Sequence, residues 1–229
     1  MSVVYLPGDK LPVSTGKEAL IVGPGVSRAD DRLVATQAGV LRSKQQPFSC
    51  WMDAHVRRYV PVRGDKVIGV ITGKAGEAWK VDVGAAELAT VSFLSFEGAT
   101  KRNRPSLKTG DLIYCQVLLA MKDMEPEVVC IDSEGKSRGL GALPDGGLLL
   151  KCSLNLVRRL LSAKCALLPT LGKELRFEIT CGMNGRVWIK SNSHKETIAI
   201  AQIILKSEFL NESQISELIR TIIDRCRGF

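Results

Sequence analysis

Four cations and no acidic residue occupy residues 98–110 of this 229-residue chain. The basic side chains of this segment are Lys101, Arg102, Arg104 and Lys108. Arg and Lys on a loop bounded by glycine and containing proline can follow a sugar-phosphate backbone without reading bases. The segment is therefore the strongest candidate for binding a nucleic acid. A solvated basic loop and a contact with another protein are the alternatives, and residues 103–105 could instead shape the loop.

Trp79 and Lys80 lie side by side at the start of an alternating apolar segment. In small barrels that bind single strands, a ring beside a cation can stack on a base, which contributes about 1–3 kcal/mol per base. A tryptophan at the start of a strand also suits a core position, so both interpretations stay open, whereas Phe93 and Phe96 are expected in the core. With 6 Phe, 3 Tyr and 3 Trp in the chain, nucleic-acid affinity would depend mainly on phosphate contacts.

Residue types that perform catalysis or bind metal do not form a recognisable set. His55 and His194 lack an evident acid–base partner, and the seven cysteines include no Cys-x-x-Cys pair. Paired carboxylates fall in turns and loops, which do not provide the rigid scaffold of a two-metal site. We therefore expect no catalytic residue, no metal site and no cofactor. We expect the cysteines to be reduced thiols of a cytosolic or nuclear protein.

The composition favours a folded and mildly basic protein. The chain is 45% hydrophobic, and its 32 Lys and Arg against 24 Asp and Glu give a net charge of +8. Such a surplus attracts polyanions, although it also suits solubility alone. The start of the chain lacks a charged leader, and no apolar run reaches about 18 residues. These features predict an intracellular, soluble protein that does not enter a membrane.

Hydrophobic patterning divides the chain into three parts. Residues 1–57 alternate short apolar runs with turn formers, as in a small β-domain. Residues 58–134 predict a small OB-type barrel. The strands predicted in the barrel are 66–72, 79–84, 111–118 and 127–131, with a turn at 73–76. Residues 135–229 comprise a glycine-rich linker up to about residue 147 and then a mixed α/β part.

The third part changes from strand to helix periodicity. Ser153 can cap a helix, and two closing helices have capping-box spacing at 193–196 and 211–214. The strands predicted between these helices are 174–181 and 186–190. One face of the last helix carries Ile215, Leu218, Ile219, Ile222, Ile223 and Cys226. This apolar face must pack against another element.

Several ordered motifs resemble one family. Residues 64–71 and 79–84 resemble the RNA-binding OB fold of the S1 type. More specific are the opening Leu6-Pro7-Gly8-Asp9 and the blocks at 96–105, 108–112, 122–127 and 182–188. Together they are similar to the S1/KH cap subunit of the eukaryotic RNA exosome. The resemblance runs from near the start of the chain through its KH-like part.

The resemblance implies an α+β, mainly β protein. It implies an N-terminal β-domain that docks on the exosome ring, an S1-type OB barrel and a C-terminal KH-type domain. Cap proteins of this family sit on a ring of RNase PH-like subunits and guide single-stranded RNA towards a separate exonuclease subunit. The implied partners are thus RNA, ring subunits and the other caps, and the implied locations are nucleus, nucleolus and cytoplasm. The family is not itself catalytic in eukaryotes.

The motif Gly182-Met183-Asn184-Gly185 departs from a usual KH domain. The usual Gly-x-x-Gly loop joins two helices and binds nucleotides through its backbone. Here the flanking segments alternate like strands, so a β-turn suits Asn184 and Gly185 better, because both tolerate positive φ. The resembled family shares this variant. A structural role for Gly182, Asn184 and Gly185 is favoured, and contact with RNA is the alternative.

Two other functions compete with an RNA-guiding cap. The first is a pure protein scaffold that binds ring subunits without touching RNA. The second is a ribonuclease in the manner of bacterial polynucleotide phosphorylase, which also carries S1 and KH modules. That enzyme catalyses through RNase PH-type domains, and 229 residues filled by three other domains leave no space for them.

Overall fold

The computed structural model describes residues 3–13, 20–30, 32–121, 123–163 and 165–227. Its contacts divide the chain into two units, Met1–Val56 and Arg57–Phe229. Strands dominate both units, and the helices lie in the last third of the chain. The predicted α+β, mainly β class is confirmed.

The N-terminal unit is a small sheet with an accompanying hairpin. Its strands are β1 (Val4–Tyr5), β2 (Ile21–Val22), β3 (Val26–Ala29), β4 (Arg32–Ala35), β5 (Gly39–Gln45) and β6 (Phe48–Asp53). The sheet has the order β1-β5-β6-β2, and β3 pairs with β4. Leu33 and Cys50 lie fully buried in its core, with Leu11 and Met52 packed around them. The predicted small β-domain is confirmed.

A closed five-stranded barrel follows. Its elements are β7 (Lys66–Ala75), β8 (Ala78–Asp82), β9 (Ala89–Ser92), β10 (Leu112–Leu119), β11 (Glu127–Val129) and the added strand β12 (Gly141–Ala142). The order is β11-β9-β8-β7-β10-β12, and a further pairing of β11 with β10 closes the barrel. Along β10, Ile113, Cys115 and Val117 are buried and alternate with more accessible residues. This period of two fills the barrel interior.

The first barrel hairpin is longer than the sequence predicted. We expected a turn at 73–76, but β7 continues to Ala75 and the chain reverses at Gly76, which has a φ of 59°. Lys74 pairs with Trp79, and a bulge between Ile71 and Gly73 absorbs one extra residue. The glycine at 73 thus serves a bulge inside the strand. The predicted linker also proved more ordered, since β12 pairs with Ile113 and Tyr114.

The C-terminal part has the KH arrangement of a three-stranded sheet covered by helices. Its elements are β13 (Leu148–Lys151), α1 (Leu154–Leu160), α2 (Leu167–Glu174), β14 (Phe177–Gly182), β15 (Arg186–Ser191), α3 (His194–Lys206), a 3₁₀ turn (Ser207–Phe209) and α4 (Glu212–Arg227). The sheet order is β13-β15-β14. Ile189, Ile200 and Ile204 are fully buried between sheet and helices.

Helix α2 corrects the strand predicted to begin at Glu174. That residue ends α2, and β14 begins only at Phe177. Pro169 and Gly172 hide this helix from pattern reading, because both usually break helices. Pro169 is tolerated because it lies in the first turn, where its missing N–H would have had no helical acceptor.

The predicted helix starts are confirmed in α1, α3 and α4. The Ser153 hydroxyl accepts from Leu156 N–H at 3.0 Å, and Asn211 N–H donates to Gln214 Oε1 at 3.0 Å. On α4, the predicted apolar face packs against the core. Buried there are Ile215, Ile219, Ile222 and Ile223, with Leu218 and Cys226 partly buried beside them. Of the helices described, none is long and apolar enough to cross a lipid bilayer.

Candidate nucleic-acid interface

The loop of residues 98–110, called the cationic loop below, is fastened to the barrel at both ends. At its start, Ala99 N–H donates to Phe96 O at 3.1 Å. At its end, Gly110 N–H donates to Ile71 O at 2.8 Å, and Ile71 N–H donates to Asp111 O at 2.9 Å. The loop thus rejoins the barrel beside the bulge in β7. Anchoring at both ends limits the space in which its side chains can move.

The four cations of this loop differ in what they contact. Lys101 and Arg102 are exposed, and among the described residues neither side chain has a hydrogen bond or ion pair. Lys108 is also exposed, and its backbone N–H is held by the Asp111 carboxylate at 2.7 Å. Arg104 instead folds back, since its Nε donates to Lys101 O at 3.1 Å. The side chains of Lys101, Arg102 and Lys108 are therefore available to a phosphate, whereas that of Arg104 is partly engaged.

The Arg104 guanidinium packs over the aromatic ring of Phe93 at one end of the barrel. Its guanidinium carbon is 5.2 Å from the centroid of the Phe93 ring, a separation typical of a cation–π contact. A terminal nitrogen is 3.9 Å from the Glu77 carboxylate. The alternative that Arg104 shapes the loop agrees with these contacts, and 43% of its side chain remains exposed.

Trp79 packs with Phe93 and Phe96 inside the barrel and does not lie on the surface. Only 6% of the residue is exposed, and its ring meets Phe93 edge-on with 4.1 Å between centroids and Phe96 at 5.8 Å. A base could not reach this ring, so the stacking role is corrected to a core role. Strand alternation explains the burial, because Trp79, Val81 and Val83 point into the barrel.

Lys80 is on the opposite face of β8 from Trp79. Its ammonium group pairs with the Glu125 carboxylate, and 28% of its side chain is exposed. The structure therefore does not place Lys80 with the cations around Phe93. Its predicted contact with RNA would have to compete with Glu125.

Lys74 is a cation near the loop that the sequence prediction missed. Its ammonium nitrogen is 5.1 Å from the Phe93 centroid, and the residue is exposed. The sequence pattern predicted a turn at 73–76 that includes Lys74, whereas in the structure Lys74 belongs to β7. The signal that could have identified it is the hairpin register, which places Lys74 opposite Trp79 and hence on the same face of the sheet.

The Gly182–Gly185 turn, meaning residues 182–185 between β14 and β15, is buried against the barrel. Asn184 Nδ2 donates to Ile68 O and to Val83 O, both at 2.8 Å, and Asn184 Oδ1 accepts from Ile68 N–H at 3.2 Å. Met183 N–H adds a bond of 2.8 Å to Lys66 O. One amide side chain thus satisfies three barrel backbone groups, which only Asn or Gln can do.

Both glycines of this turn are required by close packing. A Cβ on Gly182 would lie 2.7 Å from Ile68 N, and one on Gly185 would lie 2.6 Å from Cys152 O. Gly185 also has a φ of 75°, which favours glycine. These contacts support the structural role of Gly182, Asn184 and Gly185, and they leave Asn184 only 8% exposed.

Arg186 continues the same contact between the KH part and the barrel. Its side chain, 6% exposed, reaches the Asp82 carboxylate at 2.6 Å and also donates to the carbonyls of Asp82 and Ile68. Burial raises the pKa of Asp82. Hydrogen bonds from Gly84 N–H and the Arg186 guanidinium lower that pKa by more, so the net shift is downward. Asp82 therefore stays ionised and holds Arg186 in place.

The described part of the chain holds no candidate metal centre. No cluster of three or more His, Cys, Asp or Glu side chains there could hold a metal ion. All seven cysteines are free. Burial raises the pKa of Cys130 to about 12 and that of Cys181 to about 11, so neither thiol is a ready nucleophile at neutral pH.

Known proteins share each part of this architecture. Residues 59–141 match the family model described as the S1 domain of exosome complex component RRP40, and residues 147–195 match a KH domain model. Residues 3–55 match the model described as the N-terminal part of mammalian exosome complex component RRP40. Three successive matches thus cover most of the chain.

Relatives that match most of this chain carry the same name. The Drosophila melanogaster exosome complex component RRP40 is 45% identical over 226 residues, covering 97% of each chain. The Homo sapiens protein of that name is 45% identical over 210 residues, covering 90% of this chain and 76% of its own. A crystal structure described as an exosome complex RNA-binding protein has a TM-score of 0.61 and 26% identity, covering 75% of this chain and all of that one. The chain therefore belongs to the family of exosome complex component RRP40.

Proposed function

We propose that this protein is a non-catalytic RNA-binding cap subunit of an RNA exosome. In this role it helps to hold the ring of RNase PH-like subunits together and guides single-stranded RNA into the central channel. Another subunit then degrades or processes the RNA, including ribosomal RNA, from its 3′ end. The relatives named as exosome components and the S1 and KH domains support this proposal.

One observation carries the RNA-guiding part of the proposal. Lys101 and Arg102 are exposed cations on a loop anchored at both ends. Such a loop can bind phosphates of any sequence, as a channel that handles many RNAs requires. The Trp79 ring is buried, so strong base stacking there does not hold the RNA still. Weak, mobile phosphate contacts would let RNA slide past.

Features of the N-terminal unit support docking on other proteins. Exposed apolar side chains there include Val3, Val4, Leu6 and Ile21, each more than half exposed. Such residues on a small β-domain suit a protein interface better than solvent. We infer that residues 1–57 dock on ring subunits, that residues 58–134 bind RNA, and that residues 135–229 hold the barrel in position.

The location and the lack of catalysis are part of the same proposal. Seven free cysteines suit the reducing nucleus, nucleolus and cytoplasm. A cap without its own activity is supported by the named exosome relatives and by the raised pKa of the buried Cys130 thiol, which makes it a poor nucleophile. Phosphate-dependent RNA loss with the purified protein would contradict this part.

Binding of single-stranded RNA by the full chain tests the proposal. If about four phosphates are contacted, the slope of log affinity against log salt is about −3, at about −0.7 per contact. Replacing Lys101 and Arg102 together by Glu should abolish most of the binding and flatten this slope. The matched control carries Lys173→Glu and Arg176→Glu, which make the same charge change on the KH part. Equal slopes for the two variants would contradict an interface at the cationic loop.

A pure scaffold is the second candidate, and an apolar patch on the barrel favours it. Val60, Val62, Met121 and Met124 are each more than half exposed, and several of them line a cavity of about 310 Å³. Under this alternative, the Lys101/Arg102 variant would assemble and support RNA decay like the wild type. RNA crosslinks within the assembled complex would also avoid the barrel.

A further inference from the structure

Two cations lie over one buried aromatic ring at the end of the barrel. Phe93 is only 3% exposed, with Lys74 Nζ at 5.1 Å and the Arg104 guanidinium carbon at 5.2 Å from its centroid. The negative face of the ring attracts each cation, whereas the two positive charges repel each other. An anion near both cations would relieve this repulsion.

A small cleft lies beside Phe93 and Arg104. It has a volume of about 30 Å³ and is lined by Glu77, Ser92, Phe93, Leu94, Lys101 and Arg104. Lys101 and Arg104 are thus the two cations that line the cleft, and Lys74 lies over the same Phe93 ring without lining it. A cleft of this size exceeds the roughly 10–15 Å³ that one water molecule needs, so it also admits a single phosphate oxygen.

Glu77 is the acidic side chain that lines the cleft. Its carboxylate is 3.9 Å from Arg104, and 87% of the Glu77 side chain is exposed. An exposed pair at this separation is weak and easily replaced. Glu77 thus neutralises part of the positive charge without filling the cleft.

We propose that Lys101 and Arg104 bind one backbone phosphate of RNA at this cleft, that Lys74 over the same Phe93 ring attracts this phosphate from nearby, and that Glu77 competes with the phosphate in the free protein. This inference rests on the proposed RNA-binding function and adds Lys74 and Glu77 to it. RNA displaces the Glu77 carboxylate from Arg104 on binding. Glu77 therefore weakens RNA binding and helps to keep RNA mobile on the cap.

Removing the competitor gives the sharpest test, because most substitutions at a binding site weaken binding and this one strengthens it. The full-length Glu77→Gln variant is titrated with fluorescently labelled oligouridylate at low salt. We expect affinity to rise about two- to five-fold, the range for an exposed ion pair. Glu217→Gln is the matched control, since it removes the same charge from an exposed position on α4. Equal gains in the two variants would show a net-charge effect and overturn the role of Glu77.

Lys74 is tested in the same assay. We expect Lys74→Ala to lower the affinity about two- to five-fold, while Lys173→Ala on α2 has no comparable effect. A Lys74→Ala result equal to that control would overturn its place in the site. Thermal unfolding of each variant confirms that the fold is intact, which we expect because all four substituted side chains are exposed.

The outcomes separate this inference from the proposed function. If the Lys101/Arg102 variant loses RNA binding while Glu77→Gln and Lys74→Ala behave like their controls, the phosphate site is wrong and the proposed function stands. If the Lys101/Arg102 variant binds RNA normally, both are wrong. If binding is too weak for anisotropy, the Arg104 Nε–H signal in NMR titrations provides the readout. It should shift on RNA addition in the wild type, and no shift would overturn the site.

Discussion

The cationic loop and the Gly182–Gly185 turn both connect strands, yet they use their polar side chains in opposite ways. In the cationic loop, Lys101 and Arg102 point to solvent without a partner among the described residues. In the Gly182–Gly185 turn, the Asn184 side chain makes hydrogen bonds to three backbone groups of the barrel. The cationic loop therefore has charge available for a ligand, whereas the polar side chain of the Gly182–Gly185 turn is already engaged by the barrel.

This difference shows that the loop position that binds nucleotides in a usual KH domain can instead form an internal contact between domains. A usual KH loop binds nucleotides because its backbone is accessible. Here the turn is pressed against β7, and a Cβ on Gly182 would already approach Ile68 too closely. The KH part therefore packs on the S1 barrel through this turn, whereas the cations of the barrel's own loop stay exposed.

The largest effect on stability is expected when Asn184 is replaced by Ala. The change leaves Ile68 N–H and Val83 O without their buried partner and leaves Ile68 O with Arg186 alone. We therefore expect a loss of about 2–4 kcal/mol in the free energy of unfolding. Urea unfolding followed by the fluorescence of buried Trp188 measures it. Asn192→Ala is the control, because Asn192 is exposed on the same part of the chain.

RNA binding of this variant sharpens the comparison. Under conditions where Asn184→Ala remains folded, its salt slope should equal that of the wild type, since the turn contributes no phosphate contact. A stable Asn184→Ala protein with a flatter slope would instead place RNA on the turn.

A smaller effect, dependent on pH, is expected for Asp82→Asn. The pKa of Asp82 is lowered in the folded protein, so its contribution is present above the unfolded pKa of about 3.9 and is lost as pH falls through the folded pKa. Because 42% of the Asp82 side chain is exposed, solvent screens its pair with Arg186. We expect Asp82→Asn to cost about 0.5–1 kcal/mol at neutral pH.

Unfolding at neutral and acidic pH measures this effect against Asp224→Asn, a change at an exposed position on α4. The difference between wild type and Asp82→Asn should shrink as pH falls below about 4. A difference that is constant with pH, or the same as that of Asp224→Asn, would mean that the ion pair does not hold this contact between domains.

Sequence reasoning predicted the elements whose pattern is long and regular. The alternation in β10 and the apolar face of α4 are visible without tertiary information, because each has a defined period. Helix α2 and strand β13 escaped it. The first contains Pro169 and Gly172, and the second has only four residues, which pair with β15. Short elements take their identity from their partners, which a local pattern does not contain.

The candidate site divides in the same way. The charge of the cationic loop is local and could be read directly, whereas the role of Lys74 depends on its register opposite Trp79. Strand alternation could have placed Trp79 inside the barrel, but the neighbouring Lys80 suggested a stacking pair. The competition by Glu77 could not be predicted without the folded loop. Glu77 and Arg104 are far apart in sequence, and only the fold brings their side chains to within 3.9 Å of each other.

The smallest effect on stability is expected at the cationic loop. Replacing Lys101 and Arg102 together by Ala should change the free energy of unfolding by less than about 0.5 kcal/mol, because both side chains are exposed. The same change should make the RNA salt slope shallower by about 1.4, since two contacts of about 0.7 each are lost. Exchanging the cations, as Lys101→Arg with Arg102→Lys, should restore the slope, because a phosphate contact that reads no sequence needs charge more than shape. A large loss of stability, or a slope that the exchanged cations fail to restore, would mean that the loop supports the fold or recognises a specific shape, and the contrast with the Gly182–Gly185 turn would disappear.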